Sequence, residues 1–401
     1  MLFKVRNAAL VALAVCISTF TTTAQELAPN TSANININVG ETREFSFKGK
    51  KGDFWQLKES REWSVYPDVA LIGPDGTDVL SGYEGYLRAL VLPATGEYKL
   101  RFTLTRTDDG QDAKPGPHDL TVGYTDIFSM ARGSVRVAKR MVGGYTAEIW
   151  QSKDEYVTTL KIMREGGLEA VLIGESNMPF QFADTAADGK TAAERRAAQL
   201  WRTADKTGDG VPDLAIEYYS GGAHCCYDML FYELGKEVVM RRTLSTADSG
   251  VIPMRRNPKG GLRLRTADMS FAYWNISFAG SPAPVVILDF QNGEWRPNFS
   301  AMKRPAPSDA VLKKKAEAAK KLLSAAPYTN EDDYFEEAFW GEMLDLIYSG
   351  NESAAWKYFD MVWREDKPGK EKFKSDFNEQ LKRSQFWQMI IADTPRKEDG
   401  L

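Results

Sequence analysis

The chain has 401 residues, 43% of them hydrophobic and 26% charged, with 32 Gly, 18 Pro, 3 Cys and 2 His. These fractions describe an ordinary folded protein of about two to three domains and exclude a collagen, a disordered chain and a disulfide-dense miniprotein. The net charge of −4 offers no basic face for nucleic acid, and two histidines exclude a multi-histidine metal or acid–base centre.

At the start, Lys4 and Arg6 precede an apolar run from Ala8 to Phe20, and Thr22-Thr23-Ala24 forms a small-x-small pattern. The run is shorter than the roughly 18 residues of a membrane-spanning helix. It reads as a secretory signal peptide over residues 1–24, giving a mature chain from Gln25. Its loss lowers the basic residues from 51 to 49 and the net charge from −4 to −6. The mature protein is then expected in the periplasm or outside the cell, where thiols oxidise. The alternative is a lipid anchor at Cys16, from Leu13-Ala14-Val15-Cys16, although Val15 stands where a small residue is usual. No later run is long and apolar enough to span a membrane.

Residues 30–125 read as short strands between turns. Polar and apolar residues alternate in Ile35-Asn36-Ile37-Asn38-Val39 and in Arg43-Glu44-Phe45-Ser46-Phe47-Lys48. Gly49, Gly52, Pro74-Asp75-Gly76 and Gly96 punctuate them, the pattern of an antiparallel β-sandwich. Val39-Gly40-Glu41, Lys51-Gly52-Asp53-Phe54-Trp55, Asp68 to Gly76 and Leu92 to Leu100 together resemble the bacterial pre-peptidase C-terminal domain. The resemblance implies a β-sandwich accessory module of an exported protein and brings no catalytic residue.

Residues 127–300 are again strand-rich, as in Val157-Thr158-Thr159-Leu160-Lys161-Ile162 and Leu214-Ala215-Ile216-Glu217-Tyr218-Tyr219, with one helix around Thr191 to Leu200. No fixed-period repeat emerges, which leaves an irregular sandwich or a partial propeller-like set of blades. Three prolines between Pro297 and Pro307 mark a linker. Residues 308–393 change to helical spacing. One helix runs from a Ser308 cap to about Ala325, a second from about Glu331 to Ser349, a third from Ser353 to Trp363, and Phe373, Phe377 and Leu381 mark a fourth. The expected fold is therefore multidomain α+β: an N-terminal antiparallel β-sandwich, a central β-rich domain and a C-terminal α-helical bundle.

Asp205-Lys206-Thr207-Gly208-Asp209-Gly210-Val211-Pro212-Asp213 carries the most chemistry. Hard cations need six to eight oxygens, and Asp205, Thr207, Asp209 and Asp213 with the Val211 carbonyl place them on alternate residues of a Gly-rich loop. Loop position 12 is Ile216 and the flanks read as strands, so this is no EF-hand. The segment resembles the calcium loop of FG-GAP (integrin α-type) repeats, which implies Ca²⁺ as a stiffening ion. Thr207 replaces a carboxylate there, only one copy is present, and a plain hairpin turn is the bland reading.

One strand later comes Gly221-Gly222-Ala223-His224-Cys225-Cys226-Tyr227-Asp228, with the only mature cysteines, adjacent to each other. Neighbouring Cα atoms lie about 3.8 Å apart, below the usual disulfide minimum of about 4.4 Å. A vicinal disulfide would be a strained, rigid ring. Two buried small hydrophobes, a soft-metal site with His224, and a catalytic thiolate are its competitors. His224, Cys225, Cys226 and Tyr227 are candidate ligand-binding residues, expected at the same sheet end as the Asp205 loop. The aromatic stretch Asp268 to Phe278 reads as a strand buried on both faces or as a sugar-stacking surface.

No Gly-x-Ser-x-Gly elbow, phosphate loop, His-Glu-x-x-His or dinucleotide fingerprint is present. The first functional expectation is an exported bacterial binding protein of the cell envelope, recognising a glycan or an exported protein beside a calcium-stiffened loop. The alternatives are an envelope hydrolase using carboxylates of the central domain, and a redox or metal-handling protein using His224, Cys225 and Cys226.

Overall fold

The computed structural model describes residues 25–61, 65–76, 78–82, 87–107, 117–175, 178–185, 191–222, 225–241, 243–323, 339–365 and 368–393. The expected signal peptide, Cys16, His224 and the first turns of the expected second C-terminal helix lie outside them.

The architecture is α+β. A five-stranded sheet is ordered Gln25–Glu26, Thr42–Gly49, Gly96–Thr107, Val65–Ile72, Asp78–Gly82. It faces half of an eight-stranded sheet, whose order is Val135–Val142, Tyr145–Ser152, Val157–Arg164, Gly167–Glu175, Leu87–Val91, Phe54–Arg61, His118–Thr125, Ser32–Ile37. The period-two alternation works as expected, turning Phe45, Phe47, Leu100, Phe102, Leu120 and Val122 into one buried layer. Phe47 stacks between Trp55 at 6.0 Å and Tyr98 at 5.4 Å. The eight-stranded sheet crosses the sequence boundary expected near 125–127, because Ile173 pairs with Ala89.

A third sheet is ordered Gln181–Phe182, Asp213–Gly222, Cys225–Leu234, Val238–Met240, with Leu244–Ser245 on the free part of Cys225–Leu234. A fourth is a meander of Ile252–Arg256, Leu262–Ala267, Val285–Gln291 and Glu294–Pro297. The third sheet is apolar on both faces and divides two cores. Leu214, Ile216, Tyr218 and Leu230 join the core of the N-terminal sheets. Ala215, Met229 and Phe231 join a second core with the fourth sheet and the helices.

The helix Ala192–Trp201 starts with a capping box, Glu194 N donating to Thr191 Oγ1 at 3.2 Å and Thr191 N to Glu194 Oε2 at 3.0 Å. The C-terminal helices are Asp309–Leu323, Trp340–Tyr348, Glu352–Val362, Lys370–Lys382 and Gln385–Asp393; the last was not read from the sequence. In the proline-rich segment, Pro297 ends a strand and Phe299–Met302 forms one helical turn that buries Met302.

The stretch 268–278 is a correction. Turns replace the expected strand, with left-handed φ of +60° at Tyr273 and +56° at Asn275. Phe271 and Trp274 pack on helical side chains, Phe271 against Phe377 at 5.1 Å and Trp274 against Trp340 at 5.3 Å. Aromatic surface sought burial against the helices rather than sheet pairing.

Candidate functional site

The loop from Asp205 to Asp213 leads from the helix Ala192–Trp201 into the strand Asp213–Gly222. Gly208 at φ +87° and Gly210 at φ +89° take backbone that other residues rarely adopt. Gly208 is also required by space, since a Cβ there would lie 2.6 Å from Gly261 N. Leu262 N donates to the Lys206 carbonyl at 2.7 Å, docking the loop on the fourth sheet.

The carboxylates organise the loop's own backbone. Asp205 accepts from Gly208 N at 2.6 Å and Gly210 N at 2.9 Å, and Asp209 accepts from Val211 N at 2.9 Å. Asp213 is fully buried. Its Oδ2 accepts from Lys206 N at 2.7 Å, Thr207 N at 2.9 Å and the Thr207 hydroxyl at 3.1 Å. Buried Lys206 donates its ammonium to the carbonyls of Thr203 at 2.9 Å and Asp213 at 2.6 Å.

The fit of these residues to calcium turns on the oxygens they leave free. Asp213 Oδ1 is buried without a protein partner, as a ligand oxygen would be. Asp213 Oδ2 is instead taken up by three loop donors, the Thr207 hydroxyl among them, and the Lys206 ammonium already lies on the Asp213 carbonyl. Among the described residues, no three His, Cys, Asp or Glu side chains gather to hold a metal. As placed, Asp205, Thr207, Asp209, Val211 and Asp213 do not form the six-oxygen cage calcium needs.

Burial dominates both charges. It pulls the Lys206 ammonium down to about 8, against the upward pull of Asp213, Asp184 and Asp205. It also pushes the Asp213 carboxyl up, against the hydrogen bonds from Thr207 and Lys206. Between about 8 and the ordinary lysine value of 10.5, the unfolded chain holds the Lys206 proton more tightly than the folded one. Stability therefore gains a contribution as pH rises through that window. Urea melts at pH 8 and pH 10 should show this gain relative to a Lys206→Met variant, in which it is absent.

Beside the loop is a cavity of about 360 Å³. Arg140 and Val142 reach it from the edge of the eight-stranded sheet, Phe182 and Asp184 from the start of the third, Trp201 and Arg202 from the helix end, and Lys206 from the loop. Arg140 pairs with Asp184 at 3.2 Å and lies 5.1 Å from the Phe182 ring centroid. Arg202 thus adds a cation beside the Arg140–Asp184 pair, while the Lys206 ammonium is held by the Thr203 and Asp213 carbonyls. Sequence reasoning passed over all of these side chains. Lys206 lay inside the motif as a spacer, and Arg140, Asp184 and Arg202 come from separate segments with no shared local pattern.

The strand Asp213–Gly222 places the Gly-Gly-Ala-His-Cys-Cys hairpin at its far end. Ten residues at about 3.3 Å each separate the two motifs by roughly 30 Å, so the expected common sheet end is corrected. Cys225 and Cys226 open the strand Cys225–Leu234; their side chains lie outside the described residues. Tyr227 stacks on Tyr219 at 4.5 Å. Burial raises the Glu217 carboxyl and pushes Asp228 up to about 6, the latter opposed by a Ser245 hydrogen bond. Glu217 pairs with Met229 and Asp228 with Tyr218, so the two carboxyls point to opposite faces and make no acid–base pair.

No family model matches the chain, and no protein of curated function matches it. Among solved structures, it is similar to the periplasmic inhibitor of g-type lysozyme PliG of Salmonella Typhimurium at 24% identity and a TM-score of 0.20, over 25% of this chain and 98% of that one. A mutant of the Escherichia coli inhibitor gives 23% identity and 0.19, over 25% and 99% of the two chains. The Aeromonas hydrophila inhibitor gives 14% and 0.20, over 25% and 97%. At these values the likeness concerns a quarter of the chain and carries no functional argument.

Proposed function

We propose that this is an exported binding protein of the bacterial cell envelope that holds an acidic saccharide in the cavity beside the Asp205 loop. One observation carries the reading: Arg202 and the Arg140–Asp184 pair line a 360 Å³ recess together with Phe182 and Trp201. That volume falls in the small-ligand range of about 300–1,000 Å³. A sugar acid presents a carboxylate to an arginine fork and a C–H face to apolar walls. Export rests on the leader pattern of residues 1–24. The hydrolase alternative draws no support from Glu217 and Asp228, which face apart.

Calorimetric titration of the mature chain with uronic-acid oligosaccharides and their neutral counterparts tests the proposal. Acidic sugars are expected to bind and neutral ones to bind at least tenfold more weakly. Arg140→Gln should cost about tenfold or more, the loss of one charge-assisted hydrogen bond. Equal binding of both sugars, or none of either, overturns it.

A further inference from the structure

A second cavity of about 360 Å³ lies at the seam between the fourth sheet and the C-terminal helices, remote from the Asp205 loop in sequence and in its lining. Its charge arises from the strand register. On one face of the strand Leu262–Ala267, Arg263 lies opposite Asp289, which takes its guanidinium with two hydrogen bonds of 2.8 and 2.6 Å. Two residues on, Arg265 lies on the same face opposite Ile287, where no carboxylate meets it.

Lys303 and Arg304 line the same recess from the turn after Phe299–Met302. That turn is fixed, because Arg304 N donates to the Ser349 carbonyl at 3.1 Å and Asn351 Nδ2 to the Arg304 carbonyl at 3.2 Å. Lys303 stacks over Phe299 at 5.2 Å, and none of the three cations has an ion-pair partner among the described residues. Opposing them are Asp345, which also lines the recess, and the negative C-terminal end of the helix Trp340–Tyr348.

Three unpaired cations against one carboxylate, on a chain of net charge −4, concentrate positive potential where one ligand can reach them all. We infer that the seam binds a doubly charged oxyanion, a phosphate group carried by a free small molecule or by a lipid headgroup. Its oxygens span the Arg265 guanidinium on the sheet and the Lys303 and Arg304 charges beside the helix. Binding therefore braces the helices against the fourth sheet.

Thermal unfolding of the full chain at pH 7.5 tests this, with inorganic phosphate titrated against sodium chloride of matched ionic strength. A saturable rise in Tm with phosphate, absent with chloride, is expected. The apparent Kd should weaken at least tenfold in Arg265→Gln and in Arg304→Gln, both exposed positions, and stay unchanged in Lys153→Gln, an exposed position outside both cavities. Co-sedimentation with phosphatidate-containing vesicles, against pure phosphatidylcholine, distinguishes a headgroup from a free ligand. Binding in either arm that depends on Arg265 and Arg304 supports the site. A shift that chloride reproduces, binding unchanged in both variants, or no binding in either arm overturns it.

Discussion

Phe373→Ala is expected to destabilise the protein by about 3–5 kcal/mol, the usual cost of emptying a fully buried phenylalanine site. Phe373 has no exposed surface and is ringed by aromatic side chains. Its centroid lies 5.4 Å from Phe339, 5.5 Å from Phe359, and 5.7 Å from both Trp274 and Trp363. Such a site cannot collapse around alanine without moving several rigid rings. The core that holds Phe373 also contains Leu264 and Leu288 of the fourth sheet and Phe231 of the third. Urea unfolding followed by helical circular dichroism and by tryptophan fluorescence should give coincident transitions, both moved to lower urea by the substitution. Helices that melt ahead of the sheets would contradict a shared core. A buried polar knot reinforces the same joint, with Tyr348 and Ser384 both donating to Asp268 and Trp387 N donating to Ser384 Oγ at 2.9 Å.

Asp213→Ala should cost a similar amount, about 3–5 kcal/mol, because it removes one partner of a buried charged arrangement and leaves the other. Two backbone N–H groups and the Thr207 hydroxyl lose their acceptor, and the Lys206 ammonium loses its nearest countercharge. Asp213→Asn, which keeps an acceptor without the charge, should lose less. Adding Lys206→Met to Asp213→Ala should recover part of the loss, and the double-mutant cycle gives the coupling. A loop closed by its own lysine and backbone donors predicts the same melting temperature with calcium as with chelator. A calcium-dependent rise in the wild type, lost in Asp213→Asn, would overturn that closure.

How legible these features were depended on how local their cause is. The strands around Phe45 and Phe47, the capping box at Thr191 and Glu194, and the helix from Ser308 each rest on residues within a few positions of one another. Their spacing therefore carried the signal. The turn at 268–278 defeated the same logic. Its aromatic residues have high strand propensity, yet Trp274 meets Trp340 and Phe377, partners that no local window contains. The helix Gln385–Asp393 escaped notice because Ser384, which accepts from Trp387 N at its start, is itself fixed by donating to Asp268, more than a hundred positions away.

The candidate sites divide in the same way. The Asp205 loop was visible as a motif because alternate acceptors and glycines crowd into nine residues. Its internal use of those acceptors was not visible, since a carboxylate serves a cation or a backbone N–H equally well. The two cavities were invisible, because each collects its charges from segments far apart in the chain.

By itself, then, the sequence determined the α+β class, the sandwich pattern at one end, the helices at the other and the loop at residues 205–213. These follow from periodicity and turn chemistry, which act over short distances. Only the tertiary structure decided that the third sheet divides two cores, that the Asp205 loop and the cysteine hairpin sit at opposite strand ends, and that Arg265 lies opposite Ile287 where Arg263 has Asp289. Register and packing between distant segments set those outcomes, and a one-residue slip in pairing would have given each side chain a different neighbour.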